Sequence, residues 1–248
     1  MFVPGMVSAT FKHMDIDGVL SVMDRASLHA VEWSENHHIK AGDLAMARET
    51  AAKTADKGID IVGYGSYYRL GEGMDIRTSL DTAASMGCTQ MRIWAGKKAS
   101  SDVSPEERDE LASELRQASL IAASYGIILN LEWHKNTLTD TNESALDLLR
   151  QLDDPWVRTL WQPTQALTFE ERAEGLEMIA PYLSYLHVYY WDETGRRPFS
   201  EGLTHWRRYL SILDPGTVYP ALLEFVREDT EEQFLSDVKA LKELIEEF

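Results

Sequence analysis

One cysteine, Cys88, stands among 248 residues. That excludes an internal disulfide and a thiolate metal cluster, and it fits a reducing compartment. Basic residues are scarce as well: 24 Lys and Arg face 41 Asp and Glu, for a formal net charge of −17. So acidic a surface repels nucleic acid and anionic lipid unless its cations are gathered in one patch, so neither is expected as a partner. No window approaches the roughly 18 apolar residues of a membrane span. Met1–Lys12 also lacks a basic segment followed by an apolar one. A cytoplasmic protein is expected. A Gly-rich phosphate loop is missing too: Lys12-His13-Met14-Asp15 follows the first strand, and Gly63-Tyr64-Gly65 has no third glycine.

What the chain has instead is alternation. Short apolar strands at Val7–Phe11, His29–Trp33, Ile59–Tyr64, Met91–Trp94, Leu129–His134, Thr159–Gln162, Tyr185–Tyr189 and Tyr219–Phe225 are each followed by a segment of helical apolar spacing. Ser104-Pro105 with Glu107, Thr168 with Glu171, and Thr230 with Gln233 read as capping boxes, and Gly58, Gly87 and Gly126 read as stops. Eight strand–helix units in 248 residues leave about 30 residues for each, the length of one βαβ step. Such alternation forces parallel pairing with right-handed crossovers. With no phosphate loop to favour an open sheet, the expectation is an α/β protein, a single (β/α)8 TIM barrel over residues 1–248.

In Leu129-Asn130-Leu131-Glu132-Trp133-His134, a period of two puts Asn130, Glu132 and His134 on one face. A carboxylate ending a buried strand is costly unless something binds it. Gln162, His187 and Glu224 end three later strands in the same way, at the face where such barrels carry their active sites. Glutamates and a histidine delivered by separate strands read as a metal centre; carboxylates paired with an interior arginine or lysine are the alternative. Trp33, Trp94, Trp133, Trp161 and Trp191 also fall at strand ends, where about two are expected to line the pocket. His37 and His38 read as solvated loop residues and Arg196 and Arg197 as exposed charges, while Lys12 and His13 lie at the right face to reach a substrate.

The motifs Val31-Glu32, Leu131-Glu132-Trp133-His134, Leu186-His187 and Leu223-Glu224-Phe225, in this order and spacing, resemble the xylose-isomerase-like TIM barrels. The likeness to this sugar phosphate isomerase/epimerase family runs over nearly the whole chain. It implies a divalent metal (Mn, Mg, Co or Zn) on Glu132, Gln162, His187 and Glu224. It further implies Glu132 and Glu224 as the catalytic acid–base pair, with Glu32, Trp94, His134 and Gln165 binding substrate. The implied activity is isomerisation or epimerisation of a ketose or related polyol through an enediolate. An inosose-type dehydratase and a metal-free sugar-binding barrel are the alternatives, and a homo-oligomer is compatible with any of them. The family usually has Asp where this chain has Gln162, and His or Asn where it has Gln165, which implies a weaker ion site. A DNA-repair endonuclease shares the fold, but the charge of −17 and Gln162 count against it.

Overall fold

In the computed structural model, which describes residues 1–248, eight parallel strands close into a barrel wrapped by eight helices. The barrel strands are β1 (Phe2–Val7), β2 (Ala30–Ser34), β3 (Asp60–Arg69), β4 (Gln90–Trp94), β5 (Ile128–Leu131), β6 (Val157–Trp161), β7 (Leu183–Val188) and β10 (Tyr219–Leu223). Each pairs with its neighbour in the chain, and β10 closes on β1 in register from Phe2↔Tyr219 to Met6↔Leu223. This is the (β/α)8 TIM barrel that the alternation forces. No helix is long and apolar enough to cross a membrane.

Several boundaries differ from the sequence reading, and the fifth strand ends at Leu131, short of Glu132 and His134. The first strand is Phe2–Val7, while Ser8–Phe11 forms a 3-10 turn. Ser8 and Thr10 turn their hydroxyls inward to the Ser34 amide (2.8 Å) and the Leu223 carbonyl (3.3 Å), so local side-chain bonding wins over the apolar alternation there. The third strand runs on to Arg69. The loop after β7 holds a hairpin of β8 (Tyr190–Asp192) and β9 (Gly195–Arg197).

The helix signals translate unevenly. Thr168 and Glu171 make a full capping box on the helix Phe169–Ile179. Ser104 accepts from the Glu107 amide, but the Glu107 carboxylate turns to Lys98 (2.8 Å). Thr230 likewise accepts from the Gln233 amide, and the Gln233 side chain goes to Asp237 (2.8 Å). Both caps are therefore half-boxes.

The barrel interior is built in layers. Val7, Ala30, Leu160, Tyr185 and Leu222 form a small apolar cluster of their own, separate from the large one between strands and helices. Two residues further along the same strands, on the same inward face, come Glu32, Gln162, His187 and Glu224. An apolar plug thus supports a polar layer at the strands' C-terminal end.

Candidate active site

The polar layer is fixed first by its backbone. The Glu132 amide donates to Ile93 and the Glu224 amide to Val188, both at 3.0 Å, so ladder bonding continues one residue past β5 and past β10. Thr139 donates to the Glu132 carbonyl (2.5 Å) and locks the turn that follows. Directly after Glu224 the chain leaves the strand through Phe225, whose φ of +56° is unusual for a bulky residue, and Phe225 is thereby placed on the cavity wall.

Glu32, Glu132, His187 and Glu224 converge, joined by a residue that the sequence reading passed over. Arg92 on β4 lies 3.2 Å from Glu132 and 3.9 Å from Glu32, and it donates to the Gly65 carbonyl (3.2 Å). Its signal was present: Met91-Arg92-Ile93 puts a guanidinium at an inward position of an apolar strand. Gly65 accommodates this pair, since a Cβ there would meet Glu32 Oε1 at 2.6 Å and Arg92 Nη2 at 3.2 Å. The two glycines of β3 thus belong to no phosphate loop, and Gly65 leaves room for a buried ion pair.

His187 bridges two carboxylates. Its Nε2 is 3.2 Å from Glu32 Oε2, and its Nδ1 is 3.2 Å from Glu224 Oε2. Tyr185, from the apolar layer below, donates to the same Glu32 oxygen at 2.7 Å. Burial alone would lower the pKa of His187, but Glu32 and Glu224 outweigh it and push the value up to about 10. Burial would raise Glu32, but His187 and Arg92 outweigh it and bring it down to about 2. Burial acts against the charge on Arg92 too, and Glu132 and Glu32 overcome it, holding the guanidinium more firmly protonated than usual.

Gln162 donates to the Trp133 carbonyl at 2.8 Å and approaches Glu132 at 3.4 Å. A carbonyl can only accept, so the amide NH2 must face Trp133 and Oε1 is left over. Four buried atoms facing one another here have no hydrogen-bond partner, Glu132 Oε2, Gln162 Oε1, His187 Nδ1 and Glu224 Oε2; Glu32 Oε1 and Arg92 Nε of the same layer are also without one, as are other buried atoms elsewhere in the chain. The approaches of Arg92 to Glu132 and of His187 to Glu224 are ion pairs by distance, without hydrogen-bond alignment. Such orphans are rare, since burying an unpaired polar atom costs about 1–3 kcal/mol. The donor set is O, O, N and O, which suits a divalent ion, and the Nε2–Glu32 contact is the carboxylate support that metal-bound histidines normally have. By donor type the residues present fit such an ion, but no three His, Cys, Asp or Glu side chains stand in an arrangement that would hold one. Glu132 and Glu32 are instead paired with Arg92, the interior-arginine arrangement that the sequence left as the alternative.

Above this floor lies a cavity of about 320 Å3. Glu132, Gln162 and Glu224 line it, as do the sequence-expected His134, Gln165 and Trp94, whereas His187 lies fully buried against Glu224. Glu32, expected to bind substrate, is fully buried under His187 and does not reach the cavity. Trp94, Trp133 and Trp191 border the cavity, but Trp133 is buried in the core like Trp33 and Trp161, which leaves the two partly exposed tryptophans that were expected. Trp94 is wedged beside His134, with ring centroids 4.3 Å apart, and beneath the guanidinium of Arg69 at 4.1 Å. His37 and Lys12 line the cavity, and His38 is half-buried against Ser8 (3.0 Å), so neither histidine is a plain solvated loop residue. Arg196 and Arg197 are half-buried and paired with Asp229 (2.5 Å) and with Glu201 (2.7 Å).

A closed parallel barrel with a carboxylate-rich, aromatic-walled cavity at its C-terminal face defines the class of protein. The chain belongs to the xylose isomerase-like TIM barrel family, whose sequence pattern matches residues 23–244. It is similar to a 3-dehydroshikimate dehydratase of Bacillus anthracis, 24% identical over 179 residues, which are 67% of this chain and 58% of that protein. The matched region is thus less than two thirds of that relative's length. Among solved structures it resembles the probable 3-DHS dehydratase AsbF of Bacillus anthracis, with a TM-score of 0.83 at 20% identity, covering 98% of this chain and 99% of that one. It also resembles the IOLI protein with a bound zinc atom (TM-score 0.74, 13% identity, 99% of each chain). The 3-keto-D-glucoside 4-epimerase of E. coli is similar as well (TM-score 0.73, 16% identity, 99% of this chain and 100% of that one). At these identities the structures establish the shared barrel, and the dehydratases and the epimerase among them are enzymes.

Proposed function

We propose that the protein is an enolising enzyme, a sugar isomerase or epimerase by class, which removes a proton from the carbon beside a carbonyl in a ketose or related polyol. The observation that carries this is the set of four unpaired buried atoms on Glu132, Gln162, His187 and Glu224, three of these residues lining one cavity. A divalent ion held by these four side chains would polarise the substrate carbonyl and its neighbouring hydroxyl. The protein's own groups account for the proton. One carboxylate of the Glu132 and Glu224 pair takes it from the carbon, leaving an enediolate. The other returns a proton to the opposite face of that carbon, or to its neighbour, giving an epimer or an isomer. Arg92 orients Glu132 from behind, and Glu32 with Tyr185 orients His187. The aromatic wall excludes water and offers flat faces to sugar C–H groups.

Dehydration is the second reading. His134 supports it, because this imidazole lines the cavity with Nδ1 held on the Lys135 carbonyl (2.7 Å), and in its protonated form it would supply the proton with which a departing β-hydroxyl leaves as water. The similarity to a dehydratase supports the same reading. Both begin with the same proton abstraction, so one experiment addresses them together. Ketoses and inososes incubated with Mn²⁺-loaded protein in deuterated water should lose their α-proton signal by NMR. Glu132→Gln and Glu224→Gln should each slow that loss by about 10²–10⁴. Exchange that survives in both variants would move the chemistry off these residues, and no exchange by the unaltered protein would leave a sugar-binding barrel.

A further inference from the structure

We propose that the corner of the cavity between β1 and β2, built from Lys12, Ser34 and His37, binds an oxyanion carried by the substrate, a carboxylate or a phosphate. This deepens the enolising reading and rests on it. The first observation is charge. In a chain with a net charge of −17, the cavity is lined by three cations, Lys12, Arg92 and Lys135, and by two carboxylates, Glu132 and Glu224. Arg92 is committed to Glu132 and Glu32, which leaves Lys12 without a carboxylate partner on the β1 side. The second observation is an unpaired donor. Ser34 is 1% exposed and lines the cavity, yet its hydroxyl has no hydrogen-bond partner, since Ser8 is occupied by the Ser34 amide and by His38.

The third observation concerns the acids nearby. Glu35, one residue past Ser34, turns away to accept from the Tyr67 amide (2.7 Å) and does not line the cavity. The corner therefore presents an ammonium, a hydroxyl and an imidazole with no competing carboxylate. Three donors from two neighbouring strand ends, Lys12 after β1 and Ser34 with His37 at the end of β2, suit a group with two or three equivalent oxygens. A substrate seated there would reach across to the Glu132 and Glu224 floor, with its anionic end at β1–β2 and its carbonyl at β5–β10. Cations lining the mouth of an otherwise acidic molecule would also draw an anionic substrate in.

The test uses three ring polyols of similar size as calorimetric probes on the full-length protein: quinate (a carboxylate), myo-inositol 1-phosphate and neutral myo-inositol. At least one acidic probe should bind about tenfold or more tighter than myo-inositol, as expected for a hydrogen bond to a charged group. Whichever acidic probe is preferred distinguishes carboxylate from phosphate. Lys12→Met should remove most of that preference and its salt dependence, Ser34→Ala should remove part of it, and affinity for myo-inositol should stay unchanged. An equal preference in Lys12→Met, or no binding of either acidic probe by the unaltered protein, overturns the proposal. Deuterium exchange on a neutral inosose, run in parallel, separates this outcome from failure of the enolising reading, because exchange without anion preference removes only the subsite.

Discussion

Replacing Gln162 by Asp puts the ion site under the sharpest strain. In the ion-free protein the change is costly twice over. The Trp133 carbonyl loses its 2.8 Å donor, at about 1–3 kcal/mol for an unpaired buried acceptor. A new carboxylate also enters a site 5% exposed beside Glu132, and a like charge at a separation on the order of 5 Å costs roughly 3 kcal/mol at an effective dielectric near 20. Together these come to about 4–6 kcal/mol, which for a chain of this size lowers Tm by roughly 10–20 °C. With Mn²⁺ present the balance turns, because the added charge becomes a ligand. The variant's Tm should rise with ion concentration more steeply than that of the unaltered protein, and its Kd for Mn²⁺ should fall by about tenfold or more. Thermal melts in EDTA and in graded Mn²⁺, with calorimetry for the affinity, measure both halves. A variant that melts with the unaltered protein in EDTA and gains nothing extra from the ion would refute the placement of Gln162 at the ion site.

Two other perturbations are informative. Glu32→Gln should weaken divalent-ion binding by about 10–100-fold and lower the His187 pKa from about 10, both seen by NMR titration; an unchanged imidazole would mean that Glu32 does not support it. Asp237, which accepts from the Phe199 amide at 2.9 Å, is raised by burial to about 6 from 3.8. A folded-state pKa above the unfolded one gives stability that is full below about pH 4 and is lost as pH rises to about 6, a difference on the order of 3 kcal/mol. Asp237→Asn should flatten that slope in urea denaturation between pH 4 and pH 7, and an identical slope in both proteins would contradict it.

The barrel was legible because alternation and spacing are local signals repeated eight times. The floor of the site was legible because each of its residues ends an apolar strand, and period-two counting puts Glu32, Gln162, His187 and Glu224 inside. Counting could not tell how deep each lies. Glu32 and Glu132 look equivalent in sequence, yet Glu132 reaches the cavity and Glu32 is covered by His187. Arg92 was hidden for a related reason. A lone arginine in an apolar strand reads as an edge or a snorkelling side chain until the opposing carboxylates are placed around it. The loop residues were least legible, because Lys12, Ser34 and His37 share no periodicity, and Lys12 meets the other two only through the pairing of β1 with β2. The first strand was misplaced because Ser8 and Thr10 imitate an alternating strand while their hydroxyls bond to the neighbouring β2 and β10.

Arg92 and Gln162 make better sense together than apart. Glu32, Glu132 and Glu224 bring three negative charges, which Arg92 and protonated His187 leave one short of balance. An ion taken up on His187 Nδ1 would displace that proton. Three carboxylates would then face one guanidinium and one divalent ion, and the site would be neutral. With Asp at 162 it would stay negative and repel an anionic substrate through a low-dielectric interior, where such repulsion is strong. On this reasoning the amide at 162 lowers ion affinity and removes a barrier to anions, while Arg92 keeps Glu132 in place without help from a fourth acidic ligand. The departure at 162 and the cationic corner at Lys12 then describe one preference, for a substrate that carries negative charge.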